Sequence, residues 1–431
     1  MQSSQASKKP RIYDFAKHQI DQGLIDPDAL FVVKRLRETG YSAYLVGGSV
    51  RDLLLKKTPK DYDISTSARP EEVKKVFGRS CLLIGKRFRL AHVRFGHKIM
   101  EVSTFRSGEN ENDLIVHDNK WGTEEEDVIR RDFTINGLFL DPHSMEVIDY
   151  VGGWEDLQEH TLRTIGDPMI RFKQDPVRMI RLLKFQARFG FKANDNCIKA
   201  LRKCSHDITK SAPARVLEEF FRMLESGASA PFFKLMADTG LLELIFPGLN
   251  HFLQGPYGVE VLEFLEKADE YNKKDLKRPL DRGVLTACLI YPILEREIET
   301  QFLDRDHLPH IGEILHLTDA MVDGVVISSF SHFPKRISSI ASFVVSSQYR
   351  MTPLSGKKHH RSKLMQNKEF LLALQFLKIR SQVNQELEED YRSWRNAHHL
   401  LEHPGSEHRH QTPHSPRQRN HGQRQADVKP Q

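Results

Sequence analysis

The first third of the chain alternates between helical and extended spacing of its apolar side chains. Residues 27–39 carry apolar positions at helical spacing, and Gly40 ends the predicted helix. Residues 42–46 predict a short buried strand, which a glycine turn connects to another helix. A strand over 60–66 and a helix over 70–77 continue the pattern. This order of elements predicts an α/β unit.

Further along the chain, extended spacing gives way to a long helical stretch. Residues 90–105 predict a β-hairpin around Phe95-Gly96-His97, and residues 146–151 predict another strand. Residues 107–123 are polar and bounded by glycines, which favours a mobile loop. The predicted helical segments lie at 175–189, 213–226, 230–244, 258–272 and 366–400. The fold class is therefore α+β, with a head before about residue 165 and an all-helical remainder after it.

The composition indicates a soluble, globular protein. Hydrophobic residues make up 39% of the 431 positions, and no apolar run approaches the ~18 residues that span a bilayer. The N-terminus has positive charge without an apolar segment behind it, so we expect no signal peptide. The four cysteines are scattered and form no CxxC pair, which is typical of reduced, inert thiols in a cytoplasmic protein. The formal net charge of +6 is only weak support for a nucleic-acid partner.

Glycines and aspartates follow each other in the order strand, turn, helix, strand. Gly47 and Gly48 lie in the predicted turn, where backbone N–H groups can approach an anion closely. Arg51 is in the first turn of the next helix, where its guanidinium could reach a phosphate or a ribose. Asp61 and Asp63 stand two apart on a predicted strand, so both side chains leave the same face. Paired carboxylates beside a phosphate-binding turn are what divalent-metal phosphoryl transfer requires.

A glycine pair or an Asp-x-Asp pair alone is a common structural feature, and only their joint order is specific.

Two residues are candidates for a third acid. Glu101 is a lone acid inside an apolar strand, so it is either a surface residue or a metal ligand on the neighbouring strand. Asp132 follows Arg130 and Arg131, whose charges favour contact with phosphates or ribose, so Asp132 would orient one of them or the metal site.

A third cluster of charges lies at the start of the helical remainder. At about 100° per residue, Asp175, Arg178 and Arg181 fall on one side of a helix, whereas Ile180 and Leu183 fall on the other. The simplest interpretation is an ion pair on a helix surface, worth a few tenths of a kcal/mol. The functional interpretation is base recognition, because a carboxylate and a guanidinium together match the edge of adenine or cytosine. The pair by itself does not distinguish the two bases.

These motifs together resemble a known family. They are similar to motifs of the class II nucleotidyltransferases, which comprise tRNA CCA-adding enzymes and bacterial poly(A) polymerases. The similar stretches are, in order, LVGGSVRD with DYD, then RRDFTING, then DPVRMIR with KFQARFGF. They occur in the family's order between about residue 40 and about residue 250. PKDYD, GKRFRLAHV and EVSTFR resemble the bacterial poly(A) polymerase branch, as do the acidic run before Arg130 and the basic tail. One departure is Gln174, where the family usually has glutamate.

The resemblance implies both a domain division and a set of site residues. The division is a flexible segment (1–26), a nucleotidyltransferase head with a mixed sheet and flanking helices (27–165), a helical neck with base-recognition and RNA-binding regions (166–250), an RNA-binding helical body (251–400) and a disordered basic, His-rich tail (401–431). Asp61 and Asp63 are implied to bind the metal, with Glu101 or Asp132 as the third catalytic acid. The implied nucleotide-binding residues are Gly47, Gly48, Arg51, Arg130, Arg131, Asn136, Asp175, Arg178 and Arg181.

The expected reaction is template-independent addition of AMP from ATP to RNA 3′ ends, with Mg²⁺ or Mn²⁺ as the cofactor. RNA is expected to follow basic segments of the helical half, such as Lys335-Arg336 and Lys357–Lys363. One alternative is a tRNA CCA-adding enzyme. Another, from a different class, is a non-catalytic RNA-binding protein, against which the intact set of acids argues. We expect no membrane partner, and no motif indicates a partner protein for RNA decay.

Overall fold

The computed structural model describes residues 9–85, 89–107, 120–327, 329–330, 333–354 and 361–402. Several sequence predictions therefore fall wholly or mostly outside the described residues. They concern residues 1–8, most of the loop 107–123, residues 357–360 and nearly all of the tail 401–431.

The head is built from strands and short helices that alternate along the chain. In order they are β1 (Arg11–Tyr13), α1 (Phe15–His18), α2 (Pro27–Glu38), β2 (Ala43–Val46), α3 (Gly48–Leu54), β3 (Asp63–Thr66), α4 (Pro70–Phe77), β4 (Cys81–Ile84), β5 (Leu90–Phe95), β6 (Lys98–Thr104), α5 (Glu124–Ile129), β7 (Leu138–Asp141), β8 (Glu146–Asp149) and α6 (Gly153–Gln158). The predicted alternation and the predicted hairpin at 90–105 are confirmed. The strand predicted at 60–66 begins only at Asp63.

The described strands of the head form one mixed, eight-stranded sheet. Its order is β1-β8-β7-β2-β3-β6-β5-β4. β3 and β6 are parallel, whereas the other neighbours are antiparallel. β3 and β6 are joined through α4 and the β4–β5 hairpin, because parallel neighbours need a long crossover connection. The mixed sheet with flanking helices agrees with the expected fold class.

The N-terminal residues differ from the flexible segment predicted for 1–26. Arg11–Tyr13 is an edge strand that pairs with β8. Tyr13 stacks on Trp154 with 4.6 Å between ring centroids, and the buried His18 ring lies 2.9 Å from the Met145 carbonyl oxygen. Pairing with distant residues orders this segment, and local periodicity over so few residues does not reveal it.

The two faces of the sheet have different surroundings. Leu45, Ile64 and Val102 are buried in one apolar core with side chains of α2 and α4, such as Val32 and Val73. Since side chains alternate along a strand, the residues between them point to the opposite face. On that face Val46 and Phe139 pack with Val128 of α5. The rest of that face carries the polar side chains described below.

The remainder of the described chain is almost entirely helical. Its elements are β9 (Thr161–Leu162), α7 (Pro168–Gln174), α8 (Val177–Phe189), β10 (Lys192–Ala193), α9 (Asp195–Cys204), α10 (Pro213–Leu224), α11 (Ser229–Asp238), α12 (Leu241–Ile245), α13 (Pro247–Gln254), α14 (Gly258–Lys274), α15 (Arg282–Gln301), α16 (Ile311–Val322), α17 (Lys335–Met351), α18 (Arg361–Met365), α19 (Phe370–Val383) and α20 (Glu388–Glu402). Most of these helices share one extended apolar core, in which Phe172, Leu182, Phe221 and Leu289 are nearly inaccessible to solvent. Leu364 of α18 and Trp394 of α20 belong to a second, smaller core together with Phe370 of α19.

Two of the predicted helical segments are each divided in the structure. Gly240 adopts φ +75° and separates α11 from α12 within 230–244. Asn384 leaves helical geometry and separates α19 from α20 within 366–400. Hydrophobic periodicity continues across both breaks, so the pattern alone does not reveal them. None of the described helices is long and apolar enough to span a lipid bilayer, and all four cysteines are buried free thiols.

Candidate active site

Two acids lie side by side on the polar part of the sheet. Asp63 begins β3 and stands directly opposite Glu101 on the parallel strand β6. Glu101 in turn stands opposite His92 on β5, with 3.6 Å between His92 Nε2 and Glu101 Oε2. In-register residues point to the same face, so these three side chains form a row across the sheet. His92 was not among the residues predicted from the sequence.

Asp61 lies in the bend before β3, so it does not share a strand with Asp63 as predicted. Tyr62 between them is buried, and its hydroxyl donates to the Leu24 carbonyl. This inward anchor leaves Asp61 and Asp63 exposed on either side of Tyr62. Both acids therefore keep accessible surface at the start of β3, although the surrounding protein displaces much of the water around Asp63.

The surroundings of Asp63 disfavour its charged form. Loss of surrounding water, together with the nearby Glu101 carboxylate, raises the pKa of Asp63 to about 6, whereas Arg131 opposes the shift. Adjacent carboxylates whose charges disfavour each other suit a divalent cation, which prefers oxygen ligands. No cluster of three or more metal-binding side chains is already assembled among the described residues. The donor chemistry of Asp61, Asp63 and Glu101 nevertheless fits Mg²⁺ or Mn²⁺.

The turn between β2 and α3 packs against Arg131. Gly47 adopts φ +69° and ψ −126°, a conformation that side chains rarely tolerate. A Cβ atom at this position would lie 2.9 Å from Arg131 Nη1. Arg131 Nη2 donates to Ser65 Oγ at 3.2 Å, and Ser65 follows Asp63 on the same face of β3. The glycine thus allows a guanidinium to lie between the turn and the acidic strand.

A buried carboxylate holds both arginines of the RRD motif. Asp127 of α5 has no exposed surface. Its Oδ2 accepts from Arg131 Nη2 at 2.8 Å, and its Oδ1 accepts from Arg130 Nε at 2.9 Å and from the Arg106 amide at 3.3 Å. Burial alone would raise the pKa of Asp127, but Arg131 and Arg130 hold it below its usual range. Sequence reasoning missed Asp127, although its place three and four residues before the arginines matches helical spacing.

Arg51 is buried in contacts within the protein and does not extend into an open site. Its Nε and Nη2 donate to Asp52 Oδ1 at 2.9 and 2.7 Å, and its Nη1 donates to Asn136 Oδ1 at 2.6 Å. The rings of Phe185 and Phe189 lie 5.3 and 4.7 Å from the guanidinium carbon. We expected the Arg51 guanidinium to be free at the start of α3. In the structure, helix α8 covers this guanidinium.

Asp132 joins the head to α8 instead of facing Asp63. Its Oδ1 accepts from Asn136 Nδ2 at 3.0 Å, and its Oδ2 accepts from Arg181 Nε at 2.7 Å. Burial alone would raise the pKa of Asp132, but Arg181 and the hydrogen bond from Asn136 hold it well below its usual range. Of the two candidate third acids, Glu101 therefore lies beside Asp63, and Asp132 belongs to a separate network.

The three residues predicted to recognise the base, Asp175, Arg178 and Arg181, have different partners. Asp175 precedes α8, and its Oδ2 accepts from Arg215 of α10 at 2.8 Å. Its buried Oδ1 has no hydrogen-bond partner among the described residues. Arg178 donates to the Arg171 and Arg130 carbonyl oxygens at 3.2 and 3.1 Å. Tertiary contacts bind each charge separately, so the simpler interpretation as one ion pair on a helix surface does not apply. The role of these residues in base recognition stays a prediction.

Arg171 contacts Arg178, one of these three residues, and was not predicted as a site residue. Arg171 Nη2 donates to the Arg130 and Arg131 carbonyl oxygens at 2.8 and 2.6 Å, which secures the end of α5. Arg171 Nη1 donates to Gln174 Oε1 at 3.0 Å, so an uncharged acceptor serves where the family usually has glutamate. Glu219 of α10 pairs with Arg181 at 3.5 Å and with Lys184.

Comparison with known proteins gives matches along most of the chain. Residues 43–163 match the poly A polymerase head domain, residues 190–253 the "Probable RNA and SrmB- binding site of polymerase A", and residues 322–427 the polymerase A arginine-rich C-terminus. Poly(A) polymerase I of Salmonella typhi is 34% identical over 407 residues, which are 90% of this chain and 85% of that protein. A CCA-adding enzyme of Lactobacillus helveticus is 37% identical over 230 residues, which are 52% of this chain and 57% of that protein.

A solved structure has a similar fold. The CCA-adding enzyme of Bacillus stearothermophilus in complex with CTP has a TM-score of 0.60 at 23% identity, over 86% of this chain and 83% of that one. The acid pair, the Gly47 turn and the RRD motif all lie within the matched head region. The fold and site together define a nucleotidyltransferase. Among nucleotidyltransferases, the chain belongs to the family of tRNA nucleotidyltransferases and poly(A) polymerases.

Proposed function

We propose that the protein adds AMP from ATP to the 3′ ends of RNA, as a template-independent poly(A) polymerase. The observation that carries the proposal is the Asp63–Glu101 pair. Ser65 lies on the same face of the sheet and accepts a hydrogen bond from Arg131. The extent of the matches supports the choice within the family. Similarity to proteins named poly(A) polymerase I extends over 90% of this chain, whereas similarity to a CCA-adding enzyme extends over 52%.

In this proposal the RNA 3′ hydroxyl attacks the α-phosphate of ATP in line, and pyrophosphate leaves. Asp61, Asp63 and Glu101 would hold the divalent cation, which when bound would supply positive charge to the phosphate oxygens. Arg131 adds a fixed positive charge beside the acids, and Asp127 keeps its guanidinium in place. The Gly47–Gly48 turn brings backbone N–H groups close to the triphosphate.

The base would be recognised at the junction of α7 and α8. Asp175 Oδ1 is a buried acceptor without a partner among the described residues, and the exocyclic amine of adenine supplies a matching donor. Arg178 lies one turn along and has donors beyond the two that bind carbonyl oxygens. Cytosine carries the same amine and ring acceptor. Addition of C and A to tRNA is therefore the second candidate function, which this acceptor fits equally well.

The helical half would bind the rest of the RNA. Neck (166–250) and body (251–400) remain our proposed division, and the exposed Lys335 and Arg336 at the start of α17 remain candidate RNA contacts. The match of residues 190–253 to an RNA-binding region supports this assignment.

Primer extension tests the proposal. The purified protein receives a short single-stranded RNA, or a tRNA without its CCA end, together with Mg²⁺ or Mn²⁺ and each of the four nucleotides separately. We expect long tails from ATP on the generic RNA. Addition limited to C, C and A on the tRNA would instead establish the CCA-adding function. No incorporation on either substrate would favour the RNA-binding alternative.

Asp63→Asn is the matching active-site variant, and we expect it to lower the rate of AMP addition by more than about a hundredfold. Asp319→Asn, at an exposed position on α16, is the matched control and should retain the wild-type rate. Full activity of a metal-loaded Asp63→Asn enzyme would refute the assignment of the site.

A further inference from the structure

A polar cavity lies in the helical body, and none of the strands that carry the acids contributes to its lining. It has a volume of about 400 Å³ and is enclosed by the end of α17 and by α18, α19 and α20. Three arginines line it, Arg350, Arg361 and Arg380, together with Thr352 and Trp394. Asp390 is the single acid among its lining residues. The cavity therefore has an excess of positive charge, which attracts an anion.

Two of the arginines are fixed by the surrounding protein. The buried Arg380 donates from Nη1 to Thr352 Oγ1 at 3.0 Å and to Gln348 Oε1 at 3.3 Å, and Glu295 lies 3.9 Å away. Arg361 donates to Ser393 Oγ at 3.0 Å. Because these side chains are already ordered, they would lose little conformational entropy when a ligand binds.

Arg350 differs from the other two arginines. It is half-buried, and its guanidinium makes no hydrogen bond or ion pair with another described residue. Asp390 lines the same cavity but makes no direct ion pair with Arg350, so an anion in the cavity would give this guanidinium a partner. The planar guanidinium groups suit the oxygen atoms of a phosphate, to which they can donate in pairs.

The aromatic wall indicates which part of a nucleic acid could enter. One face of Trp394 is covered by Arg361, 4.8 Å from the ring centroid, and Phe370 packs 6.0 Å away between centroids. Its indole N–H donates to the Met351 carbonyl at 3.0 Å. With only 2% of its surface exposed, Trp394 cannot act as a stacking platform for a base. The cavity is thus suited to a phosphate group and not to a nucleobase.

We propose that this cavity binds a backbone phosphate of the RNA strand, upstream of the 3′ end that is extended. The proposal rests on the proposed function in that RNA is the substrate. The site would hold the strand by its backbone while the 3′ end is at the acids of the head. It would therefore raise affinity for longer RNA without selecting a sequence.

Equilibrium binding of oligoadenylate tests this proposal, without nucleotide or metal so that catalysis does not contribute. Arg350→Gln should weaken binding of a roughly 20-nucleotide strand by about three- to tenfold and reduce the slope of log affinity against log salt by about 0.7. Arg361→Gln should act in the same direction. Arg350→Lys retains the charge and should keep most of the salt dependence.

Arg305→Gln is the matched control, since it removes an exposed arginine of the same body that does not line the cavity. Its effect on affinity and on salt slope should be clearly smaller. Equal effects of Arg305→Gln and Arg350→Gln would overturn the proposal, because they would indicate only a general loss of charge. A change in ATP affinity without a change in RNA affinity would also overturn it. Unchanged unfolding midpoints exclude misfolding as the cause.

The outcomes for the cavity and for the proposed function are separable. Suppose that the wild type adds long A tails and that Arg350→Gln keeps the RNA affinity and salt slope of the wild type. This result would overturn the phosphate-binding role of the cavity and leave the proposed function intact. Weaker RNA binding by Arg350→Gln, together with a wild type that extends no RNA, would support the cavity and refute the proposed function.

Discussion

At the scale of single residues, several buried charges of the head have a close partner of opposite sign. Arg131 is held by Asp127, and Arg181 is held by Asp132. Asp63 instead has another acid, Glu101, as its neighbour on the adjacent strand. A like-charged neighbour is unfavourable in the protein alone, so this position is maintained at a cost to stability.

The pH dependence of stability should expose this cost. The pKa of Asp63 is about 6, above its ordinary value of 3.8, so the folded protein binds a proton more tightly than the unfolded chain. The favourable contribution of Asp63 is therefore complete below about pH 4 and lost as the pH rises through about 6. We expect metal-free Asp63→Asn to unfold at a higher temperature than the wild type at about pH 8, but not at about pH 4. Addition of Mg²⁺ should raise the midpoint of the wild type more than that of the variant.

Asp127 should be a positioning residue for the arginines beside the site. Asp127→Asn weakens two ion pairs to Arg130 and Arg131, so we expect kcat/KM for ATP to fall by about ten- to a hundredfold. The unfolding midpoint should fall as well, since a buried ion pair that loses one partner costs about 3–5 kcal/mol. Steady-state kinetics and thermal unfolding measure the two effects. Loss of stability with wild-type ATP kinetics would restrict Asp127 to a structural role.

At the scale of elements, the turn between β2 and α3 and the segment after α5 fit together. The turn is tight at Gly47. The side chains of Arg171 and Arg178 donate hydrogen bonds to the Arg130 carbonyl oxygen at the end of α5. Side chains of α7 and α8 therefore hold the backbone of the RRD segment, whereas the Arg131 side chain contacts Ser65 of the sheet. Changes to the turn should be transmitted directly to Arg131.

Gly47→Ala and Gly40→Ala form a matched pair for the turn. Both glycines have positive φ, +69° and +93°, so both substitutions strain the backbone by about 1–3 kcal/mol. A Cβ at Gly47 would also meet Arg131 Nη1 at 2.9 Å, whereas a Cβ at Gly40 has nothing within 4 Å. We expect Gly47→Ala to reduce AMP addition at least about tenfold and Gly40→Ala to reduce only stability. Similar activities of the two variants would contradict the packing of Arg131 against the turn.

At the scale of the whole molecule, one network of side chains connects the head to the helical half. It runs from Arg51 of α3 through Asn136 and Asp132 to Arg181 of α8, and then to Glu219 of α10. Arg51, Asn136, Asp132 and Glu219 are buried, whereas the side chain of Arg181 is 33% exposed. The network makes the orientation of the neck relative to the head depend on specific charges as well as on apolar packing.

A substitution that breaks this network should lower the free energy of unfolding more than a substitution at the surface. Arg181→Gln leaves the buried Asp132 without its main partner, at a cost of about 3–5 kcal/mol. The double variant Asp132→Asn/Arg181→Gln should lose less than the sum of the single losses, by about 0.5–3 kcal/mol. Urea unfolding of the four proteins measures the coupling. Strictly additive losses would show that the pair does not connect the two parts energetically.

The same pair should contribute to acid sensitivity. The folded pKa of Asp132 is held well below its ordinary value, so its stabilising contribution is present above about pH 4 and is lost as the pH falls towards the folded pKa. Asp132→Asn should lack this component. The difference in urea midpoint between wild type and Asp132→Asn should therefore shrink between about pH 5 and about pH 3. A constant difference over this range would contradict the ionised pair.

The sequence by itself determined the local features of this protein. The alternation of strands and helices, the Gly47–Gly48 turn and the order of the acidic and RRD motifs are contiguous along the chain, and residue spacing encodes them directly. The same local strings were sufficient for the family resemblance, and the comparisons confirm it. The edge strand Arg11–Tyr13 and the breaks at Gly240 and Asn384 were not predicted, because tertiary pairing or a single backbone angle decides them.

Only the tertiary structure decided which distant charges meet. Glu101 reaches Asp63 through the register of two parallel strands, and Asp132 is instead captured by Arg181 from the helical half. The lining of the body cavity likewise brings together residues from four helices and the loop that follows α17. Spacing along the chain carries no direct information on such pairs, because strand register and helix packing depend on the whole core. The motifs are thus local, whereas the partners of their side chains are set by the fold.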